Sequence, residues 1–374
     1  MFQFLVLSFF FLSAFFCAVY AFYFVSVRHN AKKPWNLKID SDFHPKISVL
    51  IPVHNEEATI SKKLANISEV LYPKDLLEII VVDDGSEDKT LSIVEDFVNR
   101  ENNLDIKVFK QNPRVGKSAA LNKALKTVSN QIIVVSDADT LWPKDIFQKA
   151  LPYLADPTVG AATSVGVNNN EKESWVTSGE ALYLNLVSLI RLGESKMHST
   201  IRFEGGFCAY KKDAFDHFDS ESGADDSGTA LDVVQNGLRA ILIPETVFYT
   251  WFPANLRGKL RIKVRRATQL IGLWVKCFRL MLRKQLKLPK KIAIPEILLF
   301  IVNPIFFILL IATGLTTVIL YPFSVFSLVL VLFVLGMLVF VRRLFLEVII
   351  DNLVLVYALF SFLFGKRYVS WENR

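Results

Sequence analysis

Gln131–Thr140 reads QIIVVSDADT: four consecutive apolar residues, Ile132 to Val135, run into Ser136 and then into two carboxylates, Asp137 and Asp139, one residue apart. A continuous β-branched run of this length predicts a strand buried on both faces, the kind found inside a parallel α/β sheet. The two acids then stand at its carboxyl end. In open α/β sheets that edge is where ligands bind, and two hard oxygen ligands on a short turn can hold a divalent cation against a diphosphate. An Asp-rich turn after a strand also serves as a plain solvated loop start. The reading therefore depends on what else the chain brings to the same edge.

Upstream, Lys46–Val53 (KISVLIPV) has the same buried-strand pattern and runs into His54, Asn55, Glu56 and Glu57, where a helix starts. Leu77–Val82 (LEIIVV) ends in Asp83, Asp84, Gly85 and Ser86, with Asp88 close behind and a helical pattern from Lys89 to Asn99. Ile106–Phe109 is a shorter third strand, and Arg114–Asn122 (RVGKSAALN) opens a small-residue helix leading to the Asp137 strand. This alternation predicts a parallel, doubly wound sheet with each polar cluster at one edge. Asp83 and Asp84 can accept hydrogen bonds from a base or ribose, or cap the next helix. Lys117 can neutralise a phosphate or be merely solvated.

Downstream come a strand over Val159–Val167 and a long helix over Glu173–Ser195. In Phe203–Tyr210 (FEGGFCAY), Gly205 and Gly206 allow close backbone approach to a ligand or a turn with positive φ. A helix is expected from Lys211 to Phe218. Gly223–Gly237 (GADDSGTALDVVQNG) places Asp225 and Asp226 at a helix N-terminus facing the sheet edge, where one can act as a general base and the other as a cap. Ile241–Ile243 is a last short strand.

The chain of 374 residues is 52% hydrophobic with 31 Phe, too apolar for an ordinary soluble enzyme, yet its middle has normal polarity. A net charge of +7 hides a local excess, because Arg257–Lys291 carries thirteen Lys or Arg and no acid. Beside apolar spans, such a stretch points to an anionic membrane surface or phosphate groups, and no nucleic-acid motif is present. Cys17, Cys208 and Cys277 have no metal-ligand spacing and imply no disulfide framework.

Met1–Val27 contains no charge and is long enough to cross a bilayer; Arg28, Lys32 and Lys33 follow it, which places the next segment in the cytoplasm. The expected organisation is an uncleaved anchor over 1–27, a cytoplasmic domain over 28–256 and basic amphipathic helices on the leaflet over 257–291. A membrane region of two to three spans follows over 292–366. Its spans are Ile292–Tyr321 and Pro322–Val341, with Leu344–Phe364 either spanning or lying on the surface. The whole is expected to be a multi-pass protein of the plasma membrane.

Five ordered motifs resemble the family 2 glycosyltransferases of GT-A fold. They are Pro52 with Asn55 and Glu56; Val82-Asp83-Asp84-Gly85-Ser86 with Asp88; Arg114 with Gly116-Lys117-Ala119-Leu121-Asn122; Asp137-Ala138-Asp139; and Glu204-Gly205-Gly206 followed by Ala224-Asp225-Asp226. The resemblance covers roughly Lys46 to Leu273 and implies a Rossmann-like, mostly parallel sheet with helices on both faces, joined to transmembrane helices. It implies a nucleotide sugar held by Asp83 and Asp84, with Pro52, Glu56, Lys117, Asp137 and Arg266 contributing. Asp139 and Asp137 would bind Mg²⁺ or Mn²⁺ on the diphosphate. Gly205, Gly206 and Asp225 would meet the acceptor, and Asp226 would be the catalytic base of an inverting transfer. The layout is similar to that of chitin-oligosaccharide and hyaluronan synthases. Processive members, however, carry Gln-X-X-Arg-Trp where this chain has Lys263-Val264-Arg265-Arg266-Ala267. Only Arg266 matches, and the missing Trp removes an aromatic platform for a sugar. The expected acceptor is accordingly a lipid-linked glycan or polyprenyl-phosphate, with membrane lipids as neighbours. A processive polysaccharide synthase and an inactive nucleotide-sugar-binding scaffold are the alternatives.

Overall fold

The computed structural model describes residues 1–101, 103–220 and 224–365. In chain order its elements are α1 (Phe2–Ala31), β1 (Ile47–Val53), α2 (Ile60–Ser68), β2 (Leu77–Asp83), α3 (Thr90–Arg100), β3 (Asp105–Lys110), α4 (Lys117–Leu125) and β4 (Ile132–Val135). There follow α5 (Ile146–Leu154), β5 (Val159–Asn168), α6 (Trp175–Met197), β6 (Cys208–Lys211), α7 (Asp225–Gln235) and β7 (Arg239–Thr250). The last helices are α8 (Leu256–Leu282), α9 (Lys290–Ile297), α10 (Asn303–Leu320), α11 (Val325–Phe340) and α12 (Arg342–Leu363), with a π-helical turn, Leu298–Val302, joining α9 to α10.

The seven strands form one sheet in the order β3-β2-β1-β4-β6-β5-β7. All neighbours are parallel except β6, which runs antiparallel to both β4 and β5. Pro52 lies just past the last β1–β4 pair, Leu50 with Val135, where a missing N–H leaves no ladder bond unmade on that side. The sheet is thus mostly parallel, with β6 the exception that FEGGFCAY concealed. The helix expected over Lys211–Phe218 is a correction: only the short turn Lys212–Ala214 is helical. Phe215 and Phe218 instead turn inward onto Tyr210, with ring centroids 5.1 and 5.9 Å from it, and this packing fixes an irregular backbone.

Alternation along the strands divides the core into two layers. Ile47, Val49 and Ile51 of β1 with Ile132 and Val134 of β4 meet α2 and α5 on one face. Leu50, Ile133 and Val135 face the other way, toward α4 and α7. That second layer continues without a break into Tyr23 and Val27 of α1, Trp274 of α8, Phe300 of the π-helical turn and Ala358 of α12. The sheet domain and the apolar helices therefore share one core. Helix α1 crosses α6 closely, since a Cβ on Gly193 would overlap the Val27 carbonyl.

Among the described residues, three helices are long and apolar enough to cross a membrane: Phe2–Ala31, Lys290–Leu320 and Arg342–Leu363. Helix α11 has 16 residues, about 24 Å at 1.5 Å per residue. The basic segment 257–291 packs along one side against the rest of the chain. Helix α8 is wedged between the sheet domain and α12, burying Lys259, Lys263, Ala267 and Trp274. Lys259 donates to Glu347 at 2.6 Å and Lys263 to Asp351 at 2.6 Å, so α8 and α12 run side by side in the same direction. Near its far end Lys276 reaches Asp219 at 3.3 Å and Asp232 at 3.4 Å. Several of the cations thus neutralise acids of this chain. The flanking Lys366 and Arg367 lie outside the described residues.

Lys263 also stands 3.4 Å from Glu180 of α6 and 3.7 Å from Glu347. Glu180 is 1% exposed, and burial raises its carboxyl pKa against the pull of Lys263. Removing one partner from a buried ion network strands the others. Lys263→Met is expected to destabilise the protein by about 3–5 kcal/mol, read as a lowered melting temperature in detergent; an unchanged melting point would mean that the network contributes nothing.

Candidate active site

The carboxyl ends of β1, β2 and β4 and the N-termini of α4 and α7 converge on one edge of the sheet. The first two loops are stitched together through the chain: Asn55 N–H donates to Ser86 Oγ at 3.0 Å, Glu56 N–H to Thr90 Oγ1 at 2.7 Å and Glu57 N–H to Asp88 at 3.1 Å. Glu56 accepts from Thr59 Oγ1 at 2.6 Å. Such bonds hold irregular backbone in place where no ladder reaches it.

Asp84 is turned into the protein. Its side chain is 0% exposed and accepts from Gln111 Nε2 at 2.8 Å and from the N–H groups of Val115 and Gly116 at 2.9 Å each. Arg114 stands 3.8 Å away. A carboxylate so enclosed shapes the loop that delivers Lys117. Asp83 is similarly buried and receives the Ser86 N–H. Pro52 is buried in β1 and presents no surface. The Asp83 and Asp84 carboxylates are thus held by protein groups.

Lys117 opens α4 directly after Gly116, whose φ of +101° is a left-handed conformation that a side chain would strain. Its ammonium is 2.9 Å from Asp137 Oδ1, 2.9 Å from Asp225 Oδ2 and 3.6 Å from Asp226 Oδ2. Three acids from two distant parts of the chain therefore meet on one buried cation. Burial opposes the charge on Lys117, but the three carboxylates outweigh it and its pKa is raised well above the ordinary value. Burial first, then repulsion from Asp225, pushes Asp226 up to about 8, with Lys117 pulling the other way.

Asp137 is fixed from below as well, its N–H donating to Gly205 O at 2.8 Å. Ser136 Oγ and Trp142 Nε1 donate to Gly206 O at 3.1 and 2.7 Å. A Cβ on Gly205 would overlap the Asp137 carboxylate, and one on Gly206 would overlap the Phe248 ring. The close approach these glycines permit is thus to protein groups, the Asp137 carboxylate and the Phe248 ring. Asp137 and Asp139 are half-buried on the turn after β4. Two hard oxygens at the ligand edge of the sheet fit Mg²⁺ or Mn²⁺ shared with a diphosphate. No cage of three or more His, Cys, Asp or Glu closes around a metal among the described residues.

Two neighbours escaped the sequence reading. Lys63 is wholly buried beneath the Asp137 turn, donating to Thr140 O at 3.0 Å with its ammonium 3.9 Å from the Trp142 ring centre. Burial lowers its pKa to about 7, against the pull of Asp137 and Asp139. Its signal was a lysine on the apolar stripe Ile60, Lys63, Leu64, Ile67 of α2. Arg191 is the second, considered below. Arg266 is not drawn into the cluster; it is 42% exposed and 3.9 Å from Glu180. Ala267, where the Trp is missing, is buried in the core against which α8 packs.

Residues 48–218 match glycosyl transferase family 2. The β-monoglucosyldiacylglycerol synthase of Synechocystis sp. is 33% identical over 145 residues, 38% of this chain and 30% of that protein. The poly-β-1,6-N-acetyl-D-glucosamine synthase of Staphylococcus aureus is 26% identical over 254 residues, 67% of this chain and 60% of that one. In both comparisons the match spans less than two thirds of the relative's length. Across nearly the whole chain the structure resembles the mannosyltransferase PcManGT from Pyrobaculum calidifontis, solved with GDP-Man and Mn²⁺: TM-score 0.84, 29% identity, 97% of this chain and 99% of that one. The structure thus has the GT-A fold, and its residues 48–218 are those that match the family 2 glycosyltransferases.

Proposed function

We propose that the protein is a membrane-bound, inverting, metal-dependent glycosyltransferase that moves a sugar from a nucleotide sugar to a lipid-linked acceptor. The observation that carries this is the meeting of Asp137, Asp225 and Asp226 on Lys117 beside Asp139. In this reading Asp137 and Asp139 hold Mg²⁺ or Mn²⁺, which when bound offsets the charge of the departing diphosphate. Lys117 adds a fixed positive charge on the other side of Asp137. Asp226 removes the proton from the acceptor hydroxyl as it attacks the anomeric carbon, so the configuration inverts. Intact Asp139 and Asp226 speak against an inactive scaffold.

GDP-mannose is the donor to try first, given the overall similarity to a mannosyltransferase holding it. A lipid acceptor is supported by the resemblance to a glucosyldiacylglycerol synthase and by the core shared between sheet domain and apolar helices. A processive synthase is the second reading, favoured by the resemblance to the poly-N-acetylglucosamine enzyme. The buried Ala267 weighs against it. Hydrolysis and transfer by the purified protein, screened over GDP-, UDP- and TDP-sugars with Mg²⁺ or Mn²⁺, test the proposal. Short products extractable into organic solvent are expected; a long water-soluble polysaccharide would favour the synthase, and no turnover of any donor would reject both.

The catalytic domain is placed in the cytoplasm of a multi-pass plasma-membrane protein, because Arg28, Lys32 and Lys33 follow α1. A cysteine introduced at exposed Asp96 should resist a membrane-impermeant thiol reagent on intact cells and react after lysis. Labelling of intact cells would reverse the orientation.

A further inference from the structure

Arg191 of α6 is 1% exposed, and its Nη1 lies 3.3 Å from Glu204 Oε1. Its Nη2 donates to Thr163 Oγ1 and Ser164 O, both at 3.3 Å, which anchors the guanidinium to β5. A fully desolvated Arg requires a counter-charge, and Glu204 supplies it. Yet 26% of the Glu204 side chain is exposed, so the pair is not sealed off as its Arg is. The Glu204 backbone is pinned too, with the carbonyl accepting from Cys208 Sγ at 3.1 Å.

Two glycines place this carboxylate. A Cβ on Gly166 of β5 would come within 2.7 Å of Glu204 Oε2, so any larger residue there would push the side chain aside. Gly205, the next residue along, lies directly on the Asp137 carboxylate. Glu204 is therefore the residue next to the glycine that lies on Asp137, beside the turn where the diphosphate is proposed to sit. A carboxylate whose charge is balanced by a buried Arg remains an acceptor for neutral hydroxyl groups. Bonds of this charged kind are the strong ones.

We propose that Glu204 accepts hydrogen bonds from hydroxyl groups of the sugar being transferred, with Arg191 as its positioning residue, and so sets which sugar the enzyme takes. This rests on the proposed donor reading and adds a specificity determinant to it.

The test uses the nucleotide sugar that gives wild-type protein its highest turnover, and the matching nucleoside diphosphate. Comparing their affinities by titration calorimetry isolates the contribution of the sugar. In Glu204→Gln, kcat/KM for the donor should fall about ten- to hundredfold, the affinity advantage of the sugar should vanish, and diphosphate affinity should hold. Gly166→Ala, which leaves the Arg191–Glu204 charges intact, should show the same pattern. Among donors lacking a single hydroxyl, one should lose as much with wild-type protein and lose nothing further in Glu204→Gln. Equal loss of diphosphate and donor affinity, or an equal further loss with every deoxy donor, would make Arg191–Glu204 a structural pair and overturn the inference. A wild-type protein that binds the diphosphate but neither favours nor hydrolyses any nucleotide sugar would overturn the donor reading instead.

Discussion

Asp226→Asn is expected to reduce turnover by about 10²- to 10⁴-fold, the range typical of a lost general base, while leaving nucleotide affinity almost unchanged. The distances explain why the two effects separate. Lys117 is held at 2.9 Å by both Asp137 and Asp225 and only at 3.6 Å by Asp226, so the cation keeps its place when the third carboxylate becomes an amide. Asparagine keeps the size of the side chain but accepts no proton. A loss confined to kcat is the signature of an interaction made in the transition state. Loss of nucleotide binding alone would reassign Asp226 as a binding residue. The same residue gives a pH dependence. Its pKa is pushed up to about 8, chiefly by burial, and only the deprotonated form can act as the base. The kcat/KM of wild-type protein should therefore rise about tenfold per pH unit below 8 and level off above it. A profile flat from pH 6 to 9 would contradict the assignment.

Much of this site could be read in the chain because strand ends and motifs coincide. The apolar run before Asp137 and the one before Asp83 can be buried only as central strands, and a parallel sheet then brings their polar ends to a common edge. What could not be read was the direction in which each acid points. Asp83 and Asp84 look alike in sequence to Asp137 and Asp139, yet Asp84 is consumed by two N–H groups and Gln111 of a loop thirty residues on. The glycines raised the same difficulty. Gly205 and Gly206 signal close approach, but only the fold shows that Asp137 and Phe248 are what approach them. Pairing within the basic tract was hidden for a related reason: thirteen cations in sequence suggest a lipid surface, and only the fold shows that Lys259 and Lys263 meet acids of α12 about ninety residues away. Local pattern fixes periodicity and end signals; pairing between distant charges depends on tertiary packing.

Removing the metal, or the carboxylate proposed to hold it, is expected to abolish activity altogether. Asp137 Oδ1 already shares its charge with Lys117 at 2.9 Å, so Asp139 is the acid of that turn whose removal tests the metal while leaving that ion pair in place. Because no third acidic, His or Cys ligand joins the pair among the described residues, an ion here must fill its shell from water and the diphosphate oxygens. Metal and nucleotide affinity are then reciprocally linked: each should strengthen the other by the same factor. Titration of Mn²⁺ alone should show weak binding that tightens when GDP is present. Asp139→Ala should eliminate that tightening and lower kcat/KM by about 10³-fold or more, since charge neutralisation at a leaving group supplies several kcal/mol. Chelation of wild-type protein should reproduce the mutant, and chelator should add nothing to Asp139→Ala. Full activity in excess chelator would remove the metal from the reaction, and Mn²⁺ binding that ignores GDP would move the ion away from the diphosphate.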